Sequence, residues 1–197
     1  MGCTCTLYIA TTLLIIKKKK TKLNQISFIE LGDDWKRFQS LCSDYFREVK
    51  KRDENNLIDV KVDEGGTGPD GGKDIILTFR LNDSIVSFER RWVVQCKFYE
   101  NLKQSNLDKI NIERLIKRHK AIGYLLICKN TYTEGVKDEF DDLSNNCSSG
   151  FEYKLWGGNY FARKLYTEPS LHQHYFPQYF EYTEQSKVIV NQLLMKQ

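Results

Sequence analysis

The sequence lacks the usual signature of a structural zinc site, because none of its six cysteines (Cys3, Cys5, Cys42, Cys96, Cys128 and Cys147) forms a C-x-x-C pair. Cys42, Cys96 and Cys128 fall inside apolar periodic segments, where small buried thiols are common, and a reducing cytoplasm is the expected compartment. Strong charge of either sign is also missing. A net charge of +4 from 30 basic and 26 acidic residues does not by itself mark a polyanion binder. The longest apolar run, Leu7 to Ile16, falls short of the roughly 20 residues a membrane span requires. Lys17 to Lys20 follow this run, whereas a secretory signal carries its charge ahead of the apolar core, so export is disfavoured. The opening Met1-Gly2-Cys3 fits a loose lipidation pattern, so a membrane-tethered interaction protein stands as an alternative, although a membrane partner is not the expectation. No internal repeat is present, and His172 and His174 form an H-x-H pair with no companion ligands, which reads as structural.

What remains fits one α/β domain with appendages: a poorly ordered leader over 1–26, a folded domain over 27–180 and a terminal helix over 181–197. From Asp33, the expected cap, the residues Trp35, Phe38, Leu41, Cys42, Tyr45, Phe46 and Val49 recur at helical spacing. Leu57 to Val62 alternates like a strand. The stretch Glu64 to Gly72, rich in glycine, reads as a loop whose backbone approaches something closely. Lys73 to Arg80 and Val86 to Phe98 read as an antiparallel hairpin turning at Leu81 to Ser84. A second helix capped by Ser105 is expected to reach His119, followed by a sheet-centre strand over Ala121 to Cys128. A helix over Thr133–Leu143, a strand over Phe151–Trp156, a helix over Gly158–Leu165, a turn at Pro169 and a helix over Thr183–Met195 complete the reading.

Alternation puts Gln95 and Lys97 on one face of their strand and Val94, Cys96 and Phe98 on the other. A turn midway between Ser84 and Ile85 sets Asp74 opposite Gln95, with Ile75, Leu77 and Phe79 as the buried row of the partner strand. A carboxylate, an amide and an ammonium then converge beside a glycine loop. The Asp74 carboxylate, the Gln95 amide oxygen and the Cys96 backbone carbonyl are hard oxygen donors of the kind Mg²⁺ takes, with Mn²⁺ as a substitute. Lys97 is left to act on a phosphate or an attacking water. Lys109, Arg114, Lys117 and Arg118 line one face of the second helix, where they either follow a phosphate backbone or are simply solvated. Tyr153, Trp156, Tyr160 and Phe161 offer rings for stacking on bases, with core packing as the default.

Gly68-Pro69-Asp70-Gly71-Gly72-Lys73-Asp74 followed by Val94-Gln95-Cys96-Lys97 resembles the G-x-D-G-G-x-D and Q-x-K signature of Mrr-like type IV restriction endonucleases, a branch of the PD-(D/E)xK nucleases. The resemblance runs from about Phe28 to Phe176. It implies an α/β fold with a restriction-endonuclease-like α-β-β-β-α-β core, a mixed central sheet flanked by helices. It further implies a Mg²⁺-dependent endonuclease cutting double-stranded DNA in defence against foreign or modified DNA, with Asp74, Gln95 and Lys97 as its catalytic set. On the same resemblance Gln39 and Asp70 are expected as accessory positions, and Gly71, Gly72 and Lys73 as residues that approach the DNA. Gln39 stands where many relatives carry an acidic residue, so the second metal carboxylate of the pattern is missing there; a catalytically degenerate DNA-binding module is the alternative that follows. Double-strand cutting points to a homodimer, and the lack of a recognisable winged-helix or NTPase region points to an NTPase or specificity partner in trans.

Overall fold

The computed structural model describes residues 24–51, 56–65, 73–108 and 110–194. Residues 1–23 of the leader, Asp70, Gly71, Gly72 and Lys109 lie outside these described residues, while Ile26, at the leader's end, is buried and donates its N–H to the Tyr166 hydroxyl at 3.1 Å. A 3-10 turn, Phe28–Leu31, opens the fold and buries Phe28 and Leu31. Helix α1 (Trp35–Val49) follows, and its cap is Asp34 rather than Asp33: the Asp34 carboxylate accepts from the Lys36 and Arg37 N–H groups at 2.9 and 3.2 Å. Phe38, Leu41, Cys42, Tyr45 and Phe46 are buried as their spacing requires, but Trp35, the first helical residue, points outward.

Strands β1 (Leu57–Glu64), β2 (Ile75–Asn82) and β3 (Ser87–Lys97) form an antiparallel meander. The β2–β3 register pairs Ile75 with Val94 and Asn82 with Ser87, the pairing expected from a turn centred between Ser84 and Ile85. After the short β4 (Asn101–Leu102), a 3-10 turn over Gln104–Asn106 takes up Ser105. Helix α2 (Ile112–Arg118) therefore starts later than expected, where the Asn111 side chain accepts from the Arg114 N–H at 2.9 Å.

Strand β5 (Gly123–Cys128) pairs in parallel with β3 on one side and β7 (Glu152–Trp156) on the other, giving the order β1-β2-β3-β5-β7. The two-residue β6 (Thr131–Tyr132) pairs with β4, and α3 (Glu134–Asn145) lies between β6 and β7. Helices α4 (Gly158–Leu165), α5 (Pro169–Tyr175) and α6 (Pro177–Leu194) close the described chain. Pro169 starts a helix rather than a simple turn, because proline at a first helical position gives up no hydrogen bond. The last helix likewise begins at Pro177, six residues before the expected Thr183.

Helices cover both sheet faces. Ile75, Leu77, Val94, Leu125 and Ile127 pack with α1, α4 and α5 into one core, while Ile76, Val93, Tyr124, Leu126 and Cys128 pack with α2 and α3 into another. The β2 row of Ile76 and Thr78 is thus buried as well, each about 8% exposed, and not only the row of Ile75, Leu77 and Phe79. The element order α1-β1-β2-β3-α2-β5 with a mixed sheet is the α-β-β-β-α-β core.

One contact seats α4 against the carboxyl ends of the parallel strands. The Gly158 N–H donates to the Asn130 carbonyl at 2.6 Å, and a Cβ on Gly158 would run into the Lys129 carbonyl. Gly158→Ala is expected to cost about 1–3 kcal/mol, the usual range for overpacking. Thermal melting should fall by roughly 2–4 °C per kcal/mol for a chain of this size. An unchanged melting temperature would mean that this close approach is not made in solution.

Candidate active site

Asp74 sits at the residue where β2 leaves β3. Its backbone N–H donates to the Val94 carbonyl at 3.0 Å, and its side-chain Oδ2 accepts from the Cys96 N–H at 2.6 Å. The two bonds bracket Gln95, so the predicted opposition of positions 74 and 95 is present. A carboxylate receiving a backbone N–H is held in one orientation, and the bond supports its negative charge.

The Asp74 carbonyl is fixed from the other side. It accepts from the Gly65 N–H at 2.6 Å, closing the neck of the loop between β1 and β2, and from Gln39 Nε2 at 3.3 Å. Gln39, on α1, thereby uses its amide as a donor to the backbone of Asp74, a bond a carboxylate at that position could not donate. The loop neck is further braced by Arg47, which pairs with Glu64 and Asp44, each at 2.6 Å.

Gln95 is buried at 4% exposure, and its Oε1 accepts from the Tyr124 hydroxyl at 2.5 Å. Burial and the charge of Asp74 push the Tyr124 hydroxyl well above its ordinary range, so it stays protonated and remains a donor. The sequence hides this partner inside the apolar run of β5; a lone tyrosine whose hydroxyl must be satisfied was the available signal.

Lys97 is half-buried and lines a cavity with Gln39 and Phe98. Burial lowers its affinity for a proton, and the charge of Asp74 partly restores it. The hydrogen bond to the Cys42 thiol and burial push the Cys96 thiol well up, so its sulfur is a poor metal ligand. Its carbonyl is better placed. The Arg91 and Lys97 carbonyls accept from Ile122 and Lys129 across the β5 edge, so alternation turns the Cys96 carbonyl to the opposite edge, the side of Asp74.

This donor set suits a hard divalent cation: one anchored carboxylate, one amide oxygen with a second lone pair, and one strand-end carbonyl. Among the described residues no three His, Cys, Asp or Glu side chains cluster as a metal cage, so neutral oxygens and water would complete the shell.

Other predicted positions separate from this rim. Ile122, just beyond the C-terminal end of α2, bonds to Arg91, so Lys117 and Arg118 lie near the opposite end of β3, roughly 20 Å of strand from Lys97. Lys117 is paired with Glu113 at 3.2 Å, and Arg114 is exposed. Lys73 is half-buried beside Asp74 in sequence. Buried His172 bonds to the Leu165 carbonyl at 2.8 Å, and the His174 ring packs edge-on against Tyr175. Tyr153, Trp156 and Phe161 are packed in or against the cores. A residue the sequence reading missed is Lys129, directly after β5. It is 5% exposed, its Nζ pairs with Glu100 at 2.7 Å and sits 4.3 Å from the Phe98 ring centre.

A family model of the Mrr catalytic domain, described as a restriction endonuclease, matches residues 32–165. The chain belongs to this family. Among solved structures, the DNA modification-dependent restriction endonuclease AspBHI is 18% identical at a TM-score of 0.45, over 66% of this chain and 30% of that one. The MspJI restriction endonuclease in complex with a 27-mer oligonucleotide is 16% identical at a TM-score of 0.43, over 65% of this chain and 27% of that one. The restriction-endonuclease domain described above therefore spans less than a third of either protein. A comparison with curated proteins gives no match.

Replacing the Asp74 carboxylate by an amide keeps an acceptor for the Cys96 N–H and removes the charge near Lys97. Asp74→Asn should therefore leave the fold intact and lower the Lys97 pKa further, because the ammonium loses its favourable neighbour. NMR titration of ¹³C-labelled lysine side chains reads this directly; an unmoved Lys97 midpoint would show that the two groups are not electrically coupled.

Proposed function

We propose that this domain is a divalent-metal-dependent deoxyribonuclease that hydrolyses phosphodiester bonds of double-stranded DNA, in defence against foreign or modified DNA. The observation that carries the reading is the Asp74 carboxylate, held by the Cys96 N–H at 2.6 Å, beside buried Gln95 and within charge range of Lys97. Asp74, the Gln95 Oε1 and the Cys96 carbonyl would hold Mg²⁺, or Mn²⁺ in its place. A bound ion supplies charge neutralisation at the phosphate and lowers the pKa of water.

The residues then divide the work. Asp74 fixes the negative end of the site, and its orientation is set by bonds on both its carboxylate and its carbonyl. Tyr124 holds the Gln95 oxygen in place, so little reorganisation is left for the moment of reaction. Lys97 donates its Nζ protons to a non-bridging phosphate oxygen or orients the attacking water. In the reaction a water oxygen forms a new bond to phosphorus, the ester P–O bond breaks, and the departing oxygen takes up a proton. Because burial weakens the hold of Lys97 on its proton, the Nζ position is also suited to pass one to an oxygen.

Each chain carries one such set, so cutting both strands calls for two copies, and a homodimer on DNA is part of the proposal. A partner that supplies specificity or NTPase activity in trans is also part of it, as is a cytoplasmic location, which suits the free thiols of Cys42, Cys96, Cys128 and Cys147. Gln39 favours one second reading, a DNA-binding module that does not cut, because its amide is engaged with the Asp74 backbone rather than adding a second carboxylate.

Incubation of the full chain with supercoiled plasmid separates the two. The nuclease reading expects nicking or linearisation in Mg²⁺ that stops with EDTA. Asp74→Ala and Lys97→Ala should each slow it by about 10²-fold or more, the usual cost of losing a preorganised charge at the reacting group. Tyr124→Phe should cut more slowly at low Mg²⁺ and recover as Mg²⁺ is raised. Salt-sensitive DNA binding with no cleavage in either metal would select the binding module.

A further inference from the structure

The cavity beside Lys97 has a volume of about 370 Å³ and two aromatic walls that belong to neither core, Trp35 and Tyr99. Trp35 is 53% exposed at the start of α1, and Tyr99 is 42% exposed two residues past the end of β3. Leaving two large rings in water at one rim sacrifices burial that the core would reward. Among the described residues neither ring packs on another ring, whereas Phe98 between them turns inward to Phe38 at 5.7 Å. Neither ring belongs to a core, and Trp35 has the Lys36 ammonium 5.7 Å from its centre.

We propose that this cavity is a nucleoside subsite: it takes the sugar and base of the nucleotide adjoining the phosphate that is cut, with Trp35 and Tyr99 against their faces. The proposal rests on the nuclease reading above and names what lies next to its phosphate.

Three observations select this occupant. Lys97 lines the same cavity, so a phosphate on its ammonium has its covalently attached nucleoside within reach of the walls. Asp33 lines it as well, and a carboxylate there disfavours a second phosphate inside, leaving the uncharged sugar and base as the part that enters. Lys36 Nζ lies 5.7 Å from the Trp35 ring centre, adding positive charge beside that wall, where a continuing strand would meet it. Aromatic walls accept any base, because every base has a π face, so the subsite contributes affinity and position without reading sequence. A volume of about 370 Å³ lies at the lower end of the roughly 300–1000 Å³ of small-ligand sites, room for one nucleoside and not for a stack.

The test uses the full chain, a short DNA duplex and the matching single strand. In an Asp74→Asn background, where cutting is expected to be lost, adding DNA should quench tryptophan fluorescence. The quench should vanish in Trp35→Phe, which keeps Trp92 and Trp156 as unresponsive reporters. In the cutting protein, Trp35→Ala and Tyr99→Ala should each raise KM about 10-fold, the size of one lost base stack, while kcat stays within about 2-fold. Trp35→Phe should cut nearly normally, since a ring remains and the helix start is kept. An unmoved KM in both alanine variants, or DNA binding with no Trp35 signal, overturns the subsite even if the plasmid is cut. A Trp35 signal without any cutting by the wild-type chain keeps a nucleoside site beside Lys97 but rejects the nuclease reading, and with it the claim that the adjoining phosphate is cut. Quenching that follows protein concentration rather than DNA would assign the rings to a contact between copies and overturn the proposal.

Discussion

The bond from the Cys96 N–H to the Asp74 carboxylate is the constraint on which the rest of the site depends. At this point the antiparallel ladder between β2 and β3 ends, and a side chain takes a strand donor that further backbone would otherwise serve. This bond fixes three things at once: where β2 starts, where the loop between β1 and β2 ends, and which way the carboxylate points. Because strand side chains alternate with a period of two, a slip of one residue would carry Gln95 and Lys97 to the other face and leave Asp74 without its brackets. The buried apolar rows on both sheet faces make such a slip expensive, so the hydrophobic cores enforce the register that the polar groups need.

A sheet covered on both faces also explains why the polar groups are so constrained. Gln95 and Tyr124 sit deep enough that each must satisfy the other, and Lys97 sits deep enough that its proton is held less tightly. Burial here costs stability, and what it provides is preorganisation: groups without water around them keep their directions. At the carboxyl ends of β3 and β5, Lys97 and Lys129 lie side by side, with the Lys129 N–H bonded to the Lys97 carbonyl at 2.9 Å. Gly158 keeps α4 tight against the same rim.

Much of this was legible in the sequence. The hairpin register followed from two alternating runs about one turn, and Gly158–Leu165 was read to the residue as a helix because its ends are marked by glycine and by a change of pattern. Other features depended on distances that no local pattern carries. Tyr124 lies 29 residues from Gln95, and β5 reads as uniformly apolar whether or not its hydroxyl has a partner. The outward turn of Trp35 follows from its place as the first helical residue, set by Asp34 rather than Asp33 as the cap, a shift of one position. The late start of α2 reflects competition between turn and helix chemistry at Gln104–Asn106, where the local hydrogen bonds of a 3-10 turn took the residues a helix cap would have used.

The position of α2 then bears on how DNA would be held. Its exposed cations Lys117 and Arg118 end beside Arg91, away from the Asp74 rim, and Lys117 is already paired with Glu113. Near the rim, Lys129 is paired with Glu100, while Lys36 lies over the Trp35 ring and Lys97 lines the cavity there. Counterion release scales with the number of phosphates neutralised, so cations already held in ion pairs add less to binding. On the proposed reading, affinity also comes from uncharged contacts such as rings against a nucleoside, from a second copy, or from a partner that reads the DNA. A rim whose carboxylate is anchored and whose Lys129 is already paired is suited to act on DNA that something else has already positioned.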